Sequence, residues 1–241
     1  MRLLVDGDII AYQAAALAEA PIHWGDGLWT LHSFESDVER LVTDAMERLI
    51  TDAGVTSLVS AISSKTNFRK SVSPTYKSNR LNTRKPMLLE HAKQFLFERY
   101  EGVVWDNLEA DDVLGILGSG DSEAVIWSID KDLKTIPCKH LIDGEVVEIS
   151  EEQADYWFYY QTLVGDTTDG YPGCPKVGPK TAEKLLNAPR DPGKTLWDVV
   201  VAAYKKEGLG EEYALTQARL ARILRGGEYN LLTGEVKLWH P

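Results

Sequence analysis

The segment Ala124–Ile129 reads Ala-Val-Ile-Trp-Ser-Ile, an almost unbroken apolar run. A strand of this kind is expected where both faces are covered, as in a parallel sheet between layers of helices. Leu3–Val5, which ends in Asp6-Gly7, and Leu58–Ile62 are further runs, and Val103–Trp105 is a shorter one. Between them, Ser36–Ala53 sets Val38, Leu41, Val42, Ala45, Met46, Leu49 and Ile50 on one face at helical period. Ser36 with Glu39 offers a capping box there, and Gly54 a left-handed stop. Pro86 suits the first turn of a helix running to about Arg99, and Glu109–Leu117 is helical in pattern. Asp143-Gly144 between Leu141-Ile142 and Val146-Val147 is a hairpin signal. The alternation predicts an α/β fold with a mostly parallel sheet flanked by helices.

After Ser150 the pattern becomes helical. Ser150 with Gln153 opens a helix carrying Tyr156, Trp157, Phe158, Tyr159 and Tyr160, a stripe that reads as core more often than as a stacking platform. Further helices are expected at Lys180–Asn187, Leu196–Lys206 and Glu211–Leu224, with a closing hairpin around Thr233-Gly234. The change in character suggests two regions, 1–150 and 151–241. No apolar run reaches the ~18 residues of a membrane span, and the start lacks the marks of a signal peptide. The two cysteines, Cys138 and Cys174, make no disulfide framework, so a reducing cytoplasm is the expected setting, with no membrane partner. Nothing in the sequence sets the oligomeric state; a monomer is the default expectation.

Four acidic clusters fall at or just after expected strand ends: Asp6 with Asp8, Glu109 with Asp111 and Asp112, Asp130 with Asp132, and Asp166 with Asp169. Ligands bind at the carboxyl ends of strands in open α/β sheets. Carboxylates converging there repel one another, and hard divalent cations with oxygen ligands relieve the repulsion. Two such ions ~3.5–4 Å apart suit phosphodiester hydrolysis. No His- or Cys-rich set points to zinc, and no Walker A loop, GxGxxG fingerprint or nucleophile elbow competes. An isolated pair such as Asp130 and Asp132 is equally consistent with a helix start, and Asp166 with Asp169 with an ordinary turn.

Charge gives conflicting signals. With 26 Lys plus Arg against 37 Asp plus Glu the chain carries −11, which taken alone disfavours nucleic acid. Yet no acidic residue occurs from Ala53 to Leu89, a stretch holding Lys65, Arg69, Lys70, Lys77, Arg80, Arg84 and Lys85. It is either a solvated basic loop or an anion-contacting segment, with Phe68 and Tyr76 interleaved for stacking. A second basic element is Gly173-Cys174-Pro175-Lys176-Val177-Gly178-Pro179-Lys180-Thr181-Ala182. Gly178 allows close backbone approach, Pro179 starts a helix, and the free amides near Lys180 and Thr181, with Lys176 and Lys184, make an anion site. This is either a plain helix–turn–helix packing element or a helix-hairpin-helix gripping DNA backbone.

Together Asp6-Gly7, Phe68-Arg69, Tyr76-Lys77 with Arg80, Glu109-Ala110-Asp111-Asp112, Asp130-Lys131-Asp132-Leu133 and Gly165-Asp166 to Ala182 resemble the 5′-nuclease family. That family includes flap endonucleases, the 5′-nuclease domain of bacterial DNA polymerase I and short phage 5′→3′ exonucleases, and the chain is most similar to the last. The resemblance covers roughly residues 1–190. It implies a PIN-like core over 1–150, a helix–three-turn–helix module within 151–241, and 5′→3′ exonuclease or flap endonuclease activity on DNA in a host-cell cytoplasm. By motif match, Asp6, Asp111 and Asp112 would surround one Mg²⁺ or Mn²⁺ ion. Asp130, Asp132, Asp166 and Asp169 would surround a second, with Glu109 in support. Arg69, Lys77 and Arg80 match basic positions approaching the scissile phosphate. Lys65, Phe68, Lys70, Tyr76 and Arg84 would contact DNA, as would Lys176, Gly178, Lys180, Thr181 and Lys184. The Cys174 and Val177 carbonyls match a K⁺ site.

One position departs from the pattern. Where the family has an Asp after the second core strand, this chain has Ser63 or Ser64, so that Asp8 compensates, the first metal site is weakened, or the residue has been altered. The segment from Arg80 to Glu90 is also short for threading single strands. Two alternatives follow: a non-catalytic DNA-junction binder with a degenerate metal site, and an RNA-directed PIN-type ribonuclease.

Overall fold

The computed structural model describes residues 1–241. Strand β1 (Arg2–Asp6) runs into α1 (Gly7–Leu17), followed by β2 (Ala20–Gly25), β3 (Leu28–His32), α2 (Glu35–Ala53) and β4 (Leu58–Ala61). Then come the short α3 (Arg69–Val72), α4 (Leu89–Arg99), β5 (Gly102–Val103), α5 (Ala110–Ser119) and β6 (Ala124–Trp127). Strands β7 (Lys139–Ile142) and β8 (Glu145–Glu148) precede the helices α6 (Glu151–Val164), α7 (Pro179–Leu186), α8 (Leu196–Lys206) and α9 (Glu211–Ala221). A small hairpin, β9 (Tyr229–Asn230) and β10 (Glu235–Val236), ends the order.

The main sheet has the order β5-β4-β1-β6-β7-β8, parallel except for β8. Strand β1 lies in the middle, with Leu3, Leu4 and Val5 sealed on both faces. Its register sets Asp6 beside Ala61 and Val5 beside Trp127. The carboxyl ends of β1, β4 and β6 therefore open on one edge of the sheet, as a parallel arrangement requires.

Most elements form for the reasons the sequence supplies. Val38, Val42, Met46 and Leu49 of α2 are buried, and Gly54 ends the helix at φ 61. The expected capping box of Ser36 and Glu39 does not form; Phe34 is the N-cap and its side chain has no acceptor for the free amides. Ser150 and Gln153 do form theirs. The expected strand at Val103–Trp105 shrinks to Gly102–Val103, at the sheet edge. Helix α4 starts at Leu89, with Pro86 in the turn before it. Both cysteines are free. No helix is long and apolar enough to cross a membrane.

The division near residue 150 is crossed in both directions. Tyr76 belongs to the core built by α6, α8 and α9, around Phe158 and Tyr204. Ile223 and Leu224 belong to the core beneath β4 and β6 with Leu4, Val59 and Ile126.

The link from α6 into the next segment is made by two glycines packed back to back. Gly165 (φ 72) and Gly173 (φ 70) are both left-handed. A methyl on Gly165 would sit 2.3 Å from the Gly173 nitrogen, and one on Gly173 2.4 Å from the Gly165 nitrogen. Only glycine meets both the φ and the contact. Gly165→Ala is expected to lose about 2–4 kcal/mol of stability in urea denaturation, whereas Gly178→Ala, with open space around it, changes little.

Candidate active site at the carboxyl edge of the sheet

A cleft of about 1580 Å³ lies over this edge, lined by residues from β1, the β4 and β6 exits, α5, α6 and the segment 63–85. Asp6 is the N-cap of α1: its Oδ1 accepts the Ile9 amide at 3.2 Å and its Oδ2 the Ser128 hydroxyl at 2.9 Å. Asp111 comes from the first turn of α5. Asp130 caps the turn after β6, accepting the Asp132 amide at 2.9 Å. Asp166 folds its own loop, accepting the Thr168 amide at 2.6 Å. The four clusters expected at strand exits thus face one cleft, except for Asp112.

Asp112 is fully buried and its oxygens are occupied. Each takes one Arg69 nitrogen at 2.7 Å, and they also accept the Leu224 amide at 3.2 Å and the Glu109 amide at 3.1 Å. Its expected role as a metal ligand is corrected accordingly: it holds Arg69. Arg69 is corrected with it. At 2% exposure, with all five N–H donors used inside the protein, it has none left for a phosphate in the cleft. Its Nε and Nη2 donate to the Leu220 and Arg222 carbonyls and its Nη1 also donates to Glu109. Phe68 and Tyr76, expected to stack on DNA, are buried at 8% and 3% exposure. Phe68 carries the Arg69 guanidinium over its ring at 4.6 Å, and Tyr76 donates its hydroxyl to Glu109 and Asp169.

The basic window has a different job from the one its composition suggests. Of its seven cations, four are paired with carboxylates from elsewhere in the chain: Arg69 with Asp112, Lys77 with Glu109, Arg80 with Asp169 and Arg84 with Glu19. Lys65, Lys70 and Lys85 make no ion pair, are exposed, and line the cleft. Burial opposes the ionisation of Glu109, but Arg69, Lys77 and the Tyr76 hydroxyl hold its carboxyl at about 2. Lys77 stays charged for the reciprocal reason: burial disfavours the ammonium, and Glu109 and Asp169 raise it. The Lys77 backbone is left-handed (φ 55), with its amide donating to the Asp169 carbonyl at 2.8 Å.

A second group of carboxylates behaves in the opposite way. Burial, then the neighbouring Asp8 charge, pushes Asp6 up to about 7. Burial, then Asp6 and Asp130, raises Asp111 well above the carboxylate range. Burial, then Asp130 and Asp166, pushes Asp132 up to about 6. The side chains of Asp111 and Asp132 form no hydrogen bond or ion pair within the protein. No three carboxylates converge into a ready chelate. The donor set, all oxygen and mutually repelling, still fits hard divalent cations in its chemistry.

Neither serine after β4 replaces a carboxylate. Ser63 Oγ accepts the Ala110 amide at 2.9 Å and Ser64 Oγ the Thr66 amide at 3.3 Å. Asp8 reaches this spot, accepting the Ser63 amide at 3.3 Å while paired with Lys93 at 2.8 Å. Neither Lys93 nor the Glu19–Arg84 pair stands out in the sequence; only the folded chain brings their partners together. In the second basic element, Lys176 is paired with Glu207 at 2.7 Å, and the Cys174 carbonyl accepts the Val177 amide at 3.1 Å. Lys180, Thr181 and Lys184 are exposed on α7, and with Gly178 they stand outside the cleft lining.

A mostly parallel sheet with unpaired aspartates at its carboxyl edge, bordered by free lysines, defines a nuclease-like α/β class. The exonuclease of Escherichia phage T7 is 35% identical over 281 residues, spanning 99% of this chain and 93% of that protein. The exodeoxyribonuclease of Enterobacteria phage T3 is 34% identical over 280 residues, spanning 99% and 92%. Among solved structures, the T5 D15 protein co-crystallised with metal ions shares the fold, with a TM-score of 0.61 over 91% of this chain and 88% of that one at 14% identity. No family model matches the chain. On this near-full-length similarity the chain belongs to the 5′-nuclease family of DNA nucleases, in the group of the phage exonucleases.

Two outcomes follow from the electrostatics. Raised carboxyl pKa values mean that, in EDTA, the folded chain retains protons that the unfolded chain has released. Stability should therefore fall as pH rises from about 4 through about 7, by up to ~4 kcal/mol from Asp6 alone. Asp6→Asn should flatten that slope in urea titrations at successive pH values. Separately, Arg69→Ala should cost about 3–5 kcal/mol by leaving Asp112 buried and unpaired, whereas Arg80→Ala, a half-exposed pair, should cost less than about 1 kcal/mol in the same measurement.

Proposed function

We propose that the protein is a 5′→3′ DNA exonuclease, with activity on flaps or other 5′-ended structures, that hydrolyses phosphodiesters with two divalent ions. The observation that carries the reading is the pair Asp111 and Asp132, held in the cleft without protein partners and driven towards protonation first by burial and then by neighbouring carboxylates. The relatives support it by name: the phage T7 protein is an exonuclease and the phage T3 protein an exodeoxyribonuclease. A solved complex of the phage T5 D15 flap endonuclease contains DNA and metal ions.

Asp6, Asp111 and Asp130 would hold one cation and Asp132 with Asp166 a second, as Mg²⁺ or Mn²⁺. Bound there, such ions supply Lewis acidity and lower the pKa of an attacking water. The remaining work belongs to the chain. Lys77 and Arg80 lie at the rim, tied to Glu109 and Asp169. An incoming phosphate competes for those cations, which then offset charge on its oxygens. Glu109 and Asp112 act one step back, fixing the turn that carries Asp111. Lys65, Lys70 and Lys85 follow the DNA backbone near the 5′ end. The exposed Lys180, Thr181 and Lys184 grip duplex backbone away from the cut, as a helix-hairpin-helix does. The reading extends to a K⁺ at the Cys174 and Val177 carbonyls.

Cleavage mapping on 5′-labelled flap, nicked and blunt duplexes tests the proposal. Asp111→Asn and Asp132→Asn should each lower cleavage by on the order of 10³ while DNA binding stays measurable. Undiminished cleavage in excess EDTA would overturn it, as would RNA flaps cut in preference to DNA.

A further inference from the structure

Helix α6 has two apolar faces. Ala154, Phe158, Thr162 and Leu163 are buried in the helical core. Trp157, Tyr160, Gln161 and Val164 fall at i, i+3, i+4 and i+7 on another face, are only half-buried, and line the cleft. The wall is built rather than incidental. The Trp157 ring meets that of Tyr160 edge to face at 5.3 Å, and the Lys134 ammonium lies 5.4 Å from the Trp157 ring centre. The Gln161 Oε1 is buried with no donor. None of these side chains takes part in the carboxylate network.

An aromatic pair, an unsatisfied amide acceptor and a cation along one wall match the three parts of a nucleotide: a base face, a base-edge N–H and a phosphate. We propose that the α6 wall is a nucleobase subsite. An unpaired DNA base stacks on Trp157 and Tyr160, Gln161 meets its edge, and Lys134 leaves the indole for the adjoining phosphate. This rests on the reading of the cleft as a DNA nuclease site. The stripe runs along the helix to Gly165-Asp166, so Trp157 lies on the order of 13 Å along the axis from Asp166, the far side of the carboxylate group. At ~3.4 Å per stacked nucleotide the bound base is up to about four nucleotides from the bond that is cut.

The test uses the full chain and fluorescein-labelled DNA with a single-stranded 5′ end, carrying one abasic site at each of the first six nucleotides in turn. Binding is read by anisotropy in EDTA at low salt, and cleavage in Mg²⁺ in parallel. The wild type should lose on the order of tenfold in affinity when one interior position is abasic. Trp157→Ala should lose a similar factor on intact DNA and become indifferent to the abasic site there. Trp157→Phe should keep most of the positional sensitivity, and Trp29→Ala, on the remote β2–β3 hairpin, all of it. Tyr160→Ala and Gln161→Ala give the same reading should Trp157→Ala not fold. A profile that is flat in the wild type, or unchanged in the wall variants, overturns the subsite even if cleavage proceeds. A position-sensitive binding profile in a protein that cuts nothing overturns the nuclease reading and leaves the subsite standing.

Discussion

The guanidinium of Arg69 is the contact on which the site depends. It has five N–H donors and makes five hydrogen bonds, two to Asp112, one to Glu109 and two to the carbonyls of Leu220 and Arg222. Asp112 is equally saturated, adding the Glu109 and Leu224 amides to its two bonds from Arg69. A buried ion pair repays its desolvation only when every remaining polar site is met, and here every one is. The pair locks the start of α5, the short α3 and the segment after α9 into one unit. Asp111, next in the chain to Asp112, owes its place in the cleft to that lock.

The same logic divides the acidic residues into two populations. Asp8, Glu109, Asp112 and Asp169 each have a Lys or Arg partner. Asp6, Asp111, Asp130, Asp132 and Asp166 have none. The paired group builds a scaffold whose charges cancel locally. The unpaired group is left with a repulsion that nothing in the protein relieves. The acid-free window of the sequence is thus largely the counter-ion supply of the scaffold, and within it only Lys65, Lys70 and Lys85 are unpaired before a polyanion arrives.

Much of this was legible in the residues, and the failures have physical causes. The sheet and its flanking helices follow from period and strand-end acids, because burial on both faces or on one stripe leaves a local pattern. The β2–β3 hairpin escaped because its residues are almost all exposed and leave no such pattern. Sign of charge is a local property but pairing is not: Arg69 meets Asp112 and Arg84 meets Glu19 across long sequence separations. That is why Asp112 read as a ligand and Arg69 as a phosphate contact. Phe68 and Tyr76 read as stacking groups for the same reason, since their neighbours in sequence are not their neighbours in space. The aromatic run at 156–160 read as a single core stripe, yet consecutive helical residues point about 100° apart, and only Phe158 among them is fully buried.

The carbonyls that complete the Arg69 shell come from Leu220 and Arg222, and the Leu224 amide completes that of Asp112. Chains are made at roughly 5–20 residues per second and fold from the amino end as they emerge. Strand β1 and the Arg69 segment are synthesised early, but their polar contacts stay open until the residues after α9 have left the ribosome. The cleft therefore matures only once the residues after α9 have been made. A chain made only as far as α8 leaves two Arg69 donors and one Asp112 acceptor position without partners, and Asp111 adjoins that unfinished pair.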